Sequence, residues 1–159
     1  MSMTQRVSMT VNGEVVTAII PVRKHLLDFL REDVGLTGSH VGCEHGVCGA
    51  CTIEVNGATV RGCLMLAVQA DGGEVTTVEG LADSGRSDAL RAAFAERNAL
   101  QCGYCTPGML ASALEYVEAG GPANRDAIRA HLSGNYCRCT GYQSIVDAVC
   151  DVIEGRVGA

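Results

Sequence analysis

Apolar residues alternate with polar ones at the start of the chain, then switch to a helical period in its second half. Val7, Met9 and Val11 alternate, Asn12-Gly13 supplies a two-residue hairpin turn, and residues 15–20 continue as a partner strand. Residues 25–33 bring Leu26, Leu27, Phe29 and Leu30 onto one side of a helix that Gly35 ends. A second hairpin follows, with strands over 52–55 and 58–61 around Asn56-Gly57, then a short strand over 74–78. Strands wrapped around one helix predict a β-grasp unit. Beyond a loop at 80–87, helical periodicity covers 87–98, 107–118, 125–132 and 142–154. Asn124 before an acidic turn, Pro107 inside a helix start and Gly120-Gly121 at a helix end mark boundaries. The expected class is α+β, with residues 1–79 as a β-grasp ferredoxin-like domain and 80–159 as a four-helix bundle.

Composition sharpens this picture. The chain has 159 residues, of which 47% are hydrophobic and only 4% aromatic, with no Trp. Twelve basic residues, Lys24 being the sole lysine, face eighteen acidic ones for a net charge of −6. Such a chain is a poor ligand for nucleic acid or an anionic membrane. No apolar run approaches the ~18 residues of a membrane span, and the start shows neither a basic-then-apolar leader nor a twin arginine. The expected location is the cytoplasm, where disulfides are disfavoured. Nine cysteines in such a chain therefore need another use, and their odd number fits a disulfide framework badly. Metal ligation is the leading explanation.

The first cysteine group is Cys43-x4-Cys48-x2-Cys51, followed by Cys63. This is the plant-type [2Fe–2S] spacing. Gly42, Gly46 and Gly49 let the loop curl closely around a cluster. If Asn56-Gly57 forms the turn, Val55 faces Ala58 and Thr52 faces Arg61, which leaves Cys51 and Cys63 almost opposite each other. Zinc is disfavoured because three thiols share one loop. Cys43-Glu44-His45 holds half of a Rieske motif, but no second half exists, so His45 is a loop residue.

The second group is Cys102-x2-Cys105 and Cys137-x-Cys139. By spacing alone it suits zinc as well as a second cluster. Cys105-Thr106-Pro107-Gly108 and Cys139-Thr140-Gly141-Tyr142 are near-repeats leading into helices, with Thr106 and Thr140 placed as N-caps. Helix N-termini would favour thiolates and an anionic cluster there. Cys150 shares a helical face with Val146, Val149 and Ile153 and is expected as a core thiol; His25, His40 and His131 are expected as ordinary residues. Each oxidised cluster with four thiolates adds about −2, which takes the chain from −6 to about −10.

No dinucleotide, Walker, nucleophile-elbow or zincin motif is present, and no nucleophile has an evident base, so no catalytic residue is assigned. Two one-electron centres without substrate chemistry describe a conduit.

Three stretches carry a family resemblance: Gly42-Cys-Glu-His-Gly-Val-Cys-Gly-Ala-Cys51, Gln101-Cys-Gly-Tyr-Cys-Thr-Pro-Gly-Met109 and Gly134-Asn-Tyr-Cys-Arg-Cys-Thr-Gly-Tyr142. The chain resembles the small iron–sulfur subunit of molybdenum hydroxylases, the xanthine dehydrogenase, aldehyde oxidoreductase and carbon monoxide dehydrogenase family. The resemblance implies a β-grasp ferredoxin domain joined to a four-helix bundle, each with one [2Fe–2S] cluster. Cys43, Cys48, Cys51 and Cys63 would hold one, and Cys102, Cys105, Cys137 and Cys139 the other. It implies a large molybdopterin subunit, a medium FAD subunit and a dimer of such heterotrimers. Electrons would pass from molybdenum through the bundle cluster, then the N-terminal cluster, to flavin. Gln101 would hydrogen-bond the pterin and Cys139 would lie beside it; helix-end capping is the plainer role for Gln101. Two departures stand out. Tyr136 replaces a common leucine, and the loop Glu44 to Val47 lacks the more polar character of carbon monoxide dehydrogenases. The latter favours an N-heterocycle, purine or aldehyde as substrate over carbon monoxide. A free-standing ferredoxin-like carrier is the other alternative, and it leaves the bundle unemployed.

Overall fold

The computed structural model describes residues 3–157. Five strands form one mixed sheet in the order β2-β1-β5-β3-β4. β1 (Thr4–Val11) pairs antiparallel with β2 (Glu14–Pro21), and β3 (Thr52–Val55) pairs antiparallel with β4 (Ala58–Arg61). β5 (Glu74–Thr76) lies between the hairpins, parallel to β1 and antiparallel to β3. Both hairpin turns need two successive residues of positive φ, which an Asn-Gly pair tolerates. Asn12 and Gly13 have φ of 50° and 86°, and Asn56 and Gly57 have 52° and 78°.

The alternation in β1 becomes a buried face of Val7, Met9 and Val11. Against it packs α1 (Leu26–Asp28), which continues as a π-helical turn over Phe29–Asp33. The wider turn, closed by the Val34 N–H on the Phe29 carbonyl at 3.1 Å, accompanies burial of Leu26, Leu27, Phe29 and Leu30 together.

The second half holds α3 (Asp88–Glu96), α4 (Thr106–Glu118), α5 (Arg125–Leu132) and α6 (Gln143–Ile153), as the periodicity predicts. The Asn124 side chain caps α5 by accepting from Asp126 and Ala127 N–H groups, each at 3.0 Å. One expectation fails between the halves. The strand ends at Thr76, and a short helix α2 (Val78–Asp83) occupies the predicted loop, so residue 79 lies inside a helix. Gly80 does not break it, because its missing side chain admits Asn12: a Cβ there would sit 2.2 Å from Asn12 Oδ1. Asn12 in turn receives the Thr77 N–H at 2.9 Å and donates to the Thr77 hydroxyl at 3.0 Å. Leu81 of α2 joins the helical core with Leu90, Phe94, Met109 and Leu114.

α4 is the shared element. Residues 108 to 114 along it are all buried, because it packs on α3, α5 and α6 and also lies against β3 and β4. Polar bonds stitch that contact. Glu115 accepts from the Thr59 amide and hydroxyl, and Arg86 joins the buried Glu54 of β3 at 2.9 Å to Glu118 at 2.6 Å. Among the described residues, no helix is long and apolar enough to cross a membrane.

Candidate metal centres

All nine cysteines are free thiols. In the first group, the register sets Thr52 against Arg61 and Val55 against Ala58, as the hairpin spacing predicts. One residue beyond each strand end, the Gly62 N–H donates to the Cys51 carbonyl at 3.1 Å, and Cys51 and Cys63 Sγ atoms stand 3.3 Å apart, both buried. A disulfide would need ~2.05 Å, whereas thiolates on a tetrahedral metal with ~2.3 Å bonds lie about 3.8 Å apart. Cys43 and Cys48 form the loop's other pair, the Cys48 N–H pointing at Cys43 Sγ at 3.4 Å. That N–H, then the His45 N–H, lowers the Cys43 thiol to about 6. Burial pushes Cys51 up to about 11. Gly42 permits the curl: a Cβ there would sit 2.8 Å from Cys48 Sγ. His45 turns back on its own loop, with Nδ1 against the Cys43 carbonyl.

The second group closes over a longer range. Cys102 and Cys139 Sγ lie 3.5 Å apart, both exposed, and Cys105 pairs with the half-buried Cys137. The sulfurs thus pair across the two motifs rather than within each. Burial raises Cys105 to about 12, whereas at Cys137 burial is outweighed by the Thr140 hydroxyl and N–H, which hold that thiol below its ordinary value. Cys105 is the N-cap of α4, so the helix start faces this pair. The expected threonine caps do not form. Thr106 is the first helical residue, and α6 starts after Tyr142, which takes φ 70°. Thr140 lies outside α6 because its hydroxyl is committed to Cys137 Sγ at 3.1 Å and to the Tyr142 N–H at 3.2 Å. Gln101 is exposed and caps no helix; its Nε2 donates to the Cys139 carbonyl at 3.1 Å, tying one cysteine motif to the other.

Among the described residues, no three His, Cys, Asp or Glu side chains converge as a single ion would require. The thiols approach two by two, and a binuclear [2Fe–2S] core taking four thiolates accommodates that pairing. Both donor sets fit such a group. A cavity of about 130 Å³ lies between them, lined by Cys48 from one set and Cys102, Cys105 and Cys137 from the other.

Known proteins resemble this chain in sequence and fold. The model for the 2Fe-2S iron-sulfur cluster binding domain matches residues 9–82, and that for the [2Fe-2S] binding domain matches residues 77–150. The chain is 51% identical to the caffeine dehydrogenase subunit gamma of Pseudomonas sp. (strain CBB1), over 90% of its own length and 87% of that subunit. It belongs to the small [2Fe–2S] subunits of the molybdenum hydroxylase family. The nicotine 6-hydroxylase small subunit of Paenarthrobacter nicotinovorans is also 51% identical, across 96% of this chain and 91% of that one. Quinoline 2-oxidoreductase from Pseudomonas putida 86 superposes with a TM-score of 0.88 at 50% identity, covering 96% of this chain and 95% of that chain. The chain is an iron–sulfur electron-transfer subunit with two [2Fe–2S]-binding domains.

Several residues around the sulfurs carry no signal in the sequence. His40 stacks on Tyr104 with ring centroids 4.5 Å apart, and its Nδ1 lies 2.8 Å from the Tyr104 carbonyl. The Tyr104 hydroxyl returns a bond to the Val41 carbonyl at 2.5 Å, which clamps the Cys102–Cys105 turn to the segment entering Cys43. Tyr136, the departure from leucine, points outward with 54% exposure, so the larger ring meets no packing penalty. Cys150 is a buried core thiol, as expected.

Proposed function

We propose that Cys43, Cys48, Cys51 and Cys63 hold one [2Fe–2S] cluster and that Cys102, Cys105, Cys137 and Cys139 hold the second. The chain then serves as the electron-transfer subunit between a large molybdopterin-bearing subunit and a medium FAD-bearing subunit, in a dimer of heterotrimers. The observation that carries this reading is the pairing of eight thiols two by two in two sets, with Cys48 of one set and Cys102, Cys105 and Cys137 of the other lining a common cavity. Each bound cluster supplies a one-electron centre. The protein's part is to present thiolates and to stabilise their charge. The Cys48 and His45 N–H groups do so at Cys43, and Thr140 does so at Cys137. The exposed pair, Cys102 and Cys139, faces outward with Gln101 beside it and is the side offered to the molybdopterin subunit, Gln101 contacting the pterin. The thiols must stay reduced to bind iron, which suits the cytoplasm.

The relatives named for caffeine, nicotine and nicotinate, and the quinoline oxidoreductase structure, favour an N-heterocyclic substrate for the complex over an aldehyde or carbon monoxide. Purification of the native complex tests the reading. About four irons per chain, molybdenum in the complex, and two distinct EPR signals on reduction are the expected result. Zinc in a colourless protein, or iron without molybdenum, would overturn it.

A further inference from the structure

The two cysteine loops meet at a buried asparagine outside both ligand sets. Asn135 is 2% exposed and uses its whole hydrogen-bonding capacity. Its Nδ2 donates to the Gly49 carbonyl at 3.1 Å and to Thr52 Oγ1 at 3.2 Å. Its Oδ1 accepts from the Ser112 hydroxyl at 2.9 Å and from Arg61 Nη2 at 3.4 Å. Only one orientation of the amide satisfies these partners, since a carbonyl can only accept and a guanidinium can only donate. Four segments are thereby fixed at one point: the loop between Cys48 and Cys51, the start of β3, α4, and the approach to Cys137. Arg61 adds a bond from Nη2 to the Gly134 carbonyl at 2.7 Å.

The approach is close enough to need glycine on three sides. A Cβ on Gly49, whose φ is +74°, would sit 2.5 Å from the Gly134 carbonyl; one on Gly108 would sit 2.2 Å from the Gly49 carbonyl; one on Gly134 would sit 2.7 Å from Arg61 Nη2. Immediately beside Asn135, the Tyr136 N–H donates to the Cys48 carbonyl at 2.8 Å. A single main-chain hydrogen bond thus joins Cys48 to the peptide leading into Cys137.

We propose that Asn135 is a positioning residue for electron transfer: it locks the Cys48–Cys51 loop against the Gly134–Cys137 segment and so holds the Tyr136–Cys48 main-chain hydrogen bond between the two cluster sites. This rests on the assignment of the eight ligands in the proposed function. The event it serves is one electron leaving the Cys102, Cys105, Cys137 and Cys139 side and arriving at the Cys43, Cys48, Cys51 and Cys63 side. No bond is made or broken and no proton moves. The Asn135 side chain hydrogen-bonds to neither set of sulfurs, and its effect runs through spacing.

The test uses the complete complex carrying Asn135→Ala, Asn135→Asp, Ser112→Ala or Gly108→Ala. Three readouts apply: iron content and the midpoint potential of each cluster by EPR titration, exchange of the peptide containing the Tyr136 amide, and electron equilibration between clusters after rapid partial reduction. Asn135→Ala should keep the iron and both potentials, while Tyr136 exchange rises at least about tenfold and equilibration slows. Asn135→Asp loses the donor to Gly49 and should follow it, and Gly108→Ala should give the same signature by wedging the loops apart from the other side. Ser112→Ala, which removes one bond, should give a smaller change in the same direction. Wild-type exchange and equilibration in an iron-replete Asn135→Ala protein would overturn the proposal. If that variant fails to retain iron, Ser112→Ala and Gly108→Ala decide the matter: unchanged exchange and equilibration in both would overturn it. A wild-type complex without two clusters would instead sink the functional reading itself.

Discussion

The two thiol sets solve the same problem at different ranges. In the first, a hairpin of fixed register brings Cys51 to Cys63, and one loop supplies Cys43 and Cys48. Its geometry is nearly complete in local hydrogen bonding, and its far pair is buried. In the second, Cys102 meets Cys139 and Cys105 meets Cys137 only because α4 and α6 are packed side by side in one core. Its outer pair is exposed. The local site is protected and the long-range site is presented. That division suits a subunit that receives electrons at an accessible end and shelters them further in.

Cys105→Ser should have the largest effect on this contrast. It removes a half-buried proposed ligand from the long-range site, so iron should fall from about four to about two per chain and turnover of the complex should cease. The EPR signal of the first cluster should persist. Loss of both signals would mean that the two sites do not assemble independently.

A pair of glycine substitutions probes the two turns at the level of stability. Gly49 and Gly103 both have positive φ, +74° and +80°, but only Gly49 is enclosed; nothing lies within 4 Å of a Cβ on Gly103. Gly103→Ala should cost about 1–2 kcal/mol of backbone strain. Gly49→Ala carries that strain plus a clash with the Gly134 carbonyl, and should cost distinctly more in denaturant unfolding. Equal costs would show that the first loop can move away from the second.

A smaller effect concerns acid stability of the helical half. Arg97 first, then Arg156, hold the Asp151 carboxyl below its ordinary value against the opposing effect of burial. A depressed carboxyl contributes stability above its unfolded value of about 3.9 and loses it as pH falls through the folded value. Asp151→Asn should therefore lower the thermal midpoint at neutral pH, with the gap to wild type closing below about pH 4. A gap that stays constant across that range would exclude the linkage.

Gln101→Ala should be the mildest change to the chain itself. One exposed hydrogen bond to the Cys139 carbonyl is lost, worth at most about 1 kcal/mol, and both clusters should remain. Slower electron delivery from the molybdopterin side is the expected phenotype, and wild-type turnover would remove Gln101 from the pterin contact.

The legible parts of this molecule are those whose determinants sit close together along the chain. Asn12-Gly13 and Asn56-Gly57 specify their turns, the turns specify register, and register places Cys63 beside Cys51. The four long helices follow from periodicity and from caps such as Asn124. α2 escapes such a reading because Gly80 resembles a loop residue until Asn12, distant in sequence, fills the space its side chain would take. Thr140 resembles a helix cap, but its hydroxyl serves a sulfur rather than a helix amide.

Residue order alone is enough to divide eight cysteines into two groups of four and to name the candidate ligands, since metal coordination demands particular side chains at particular local spacings. It does not say which thiols pair across the bundle, that Cys48 faces Cys105 and Cys137 over one cavity, or that Asn135 ties the two loops together; packing settles these. Those contacts join segments far apart along the chain, 37 residues for Cys102 and Cys139 and 86 for Gly49 and Asn135. Hydrogen bonds of that range depend on how whole elements pack, and no local pattern of residues encodes them.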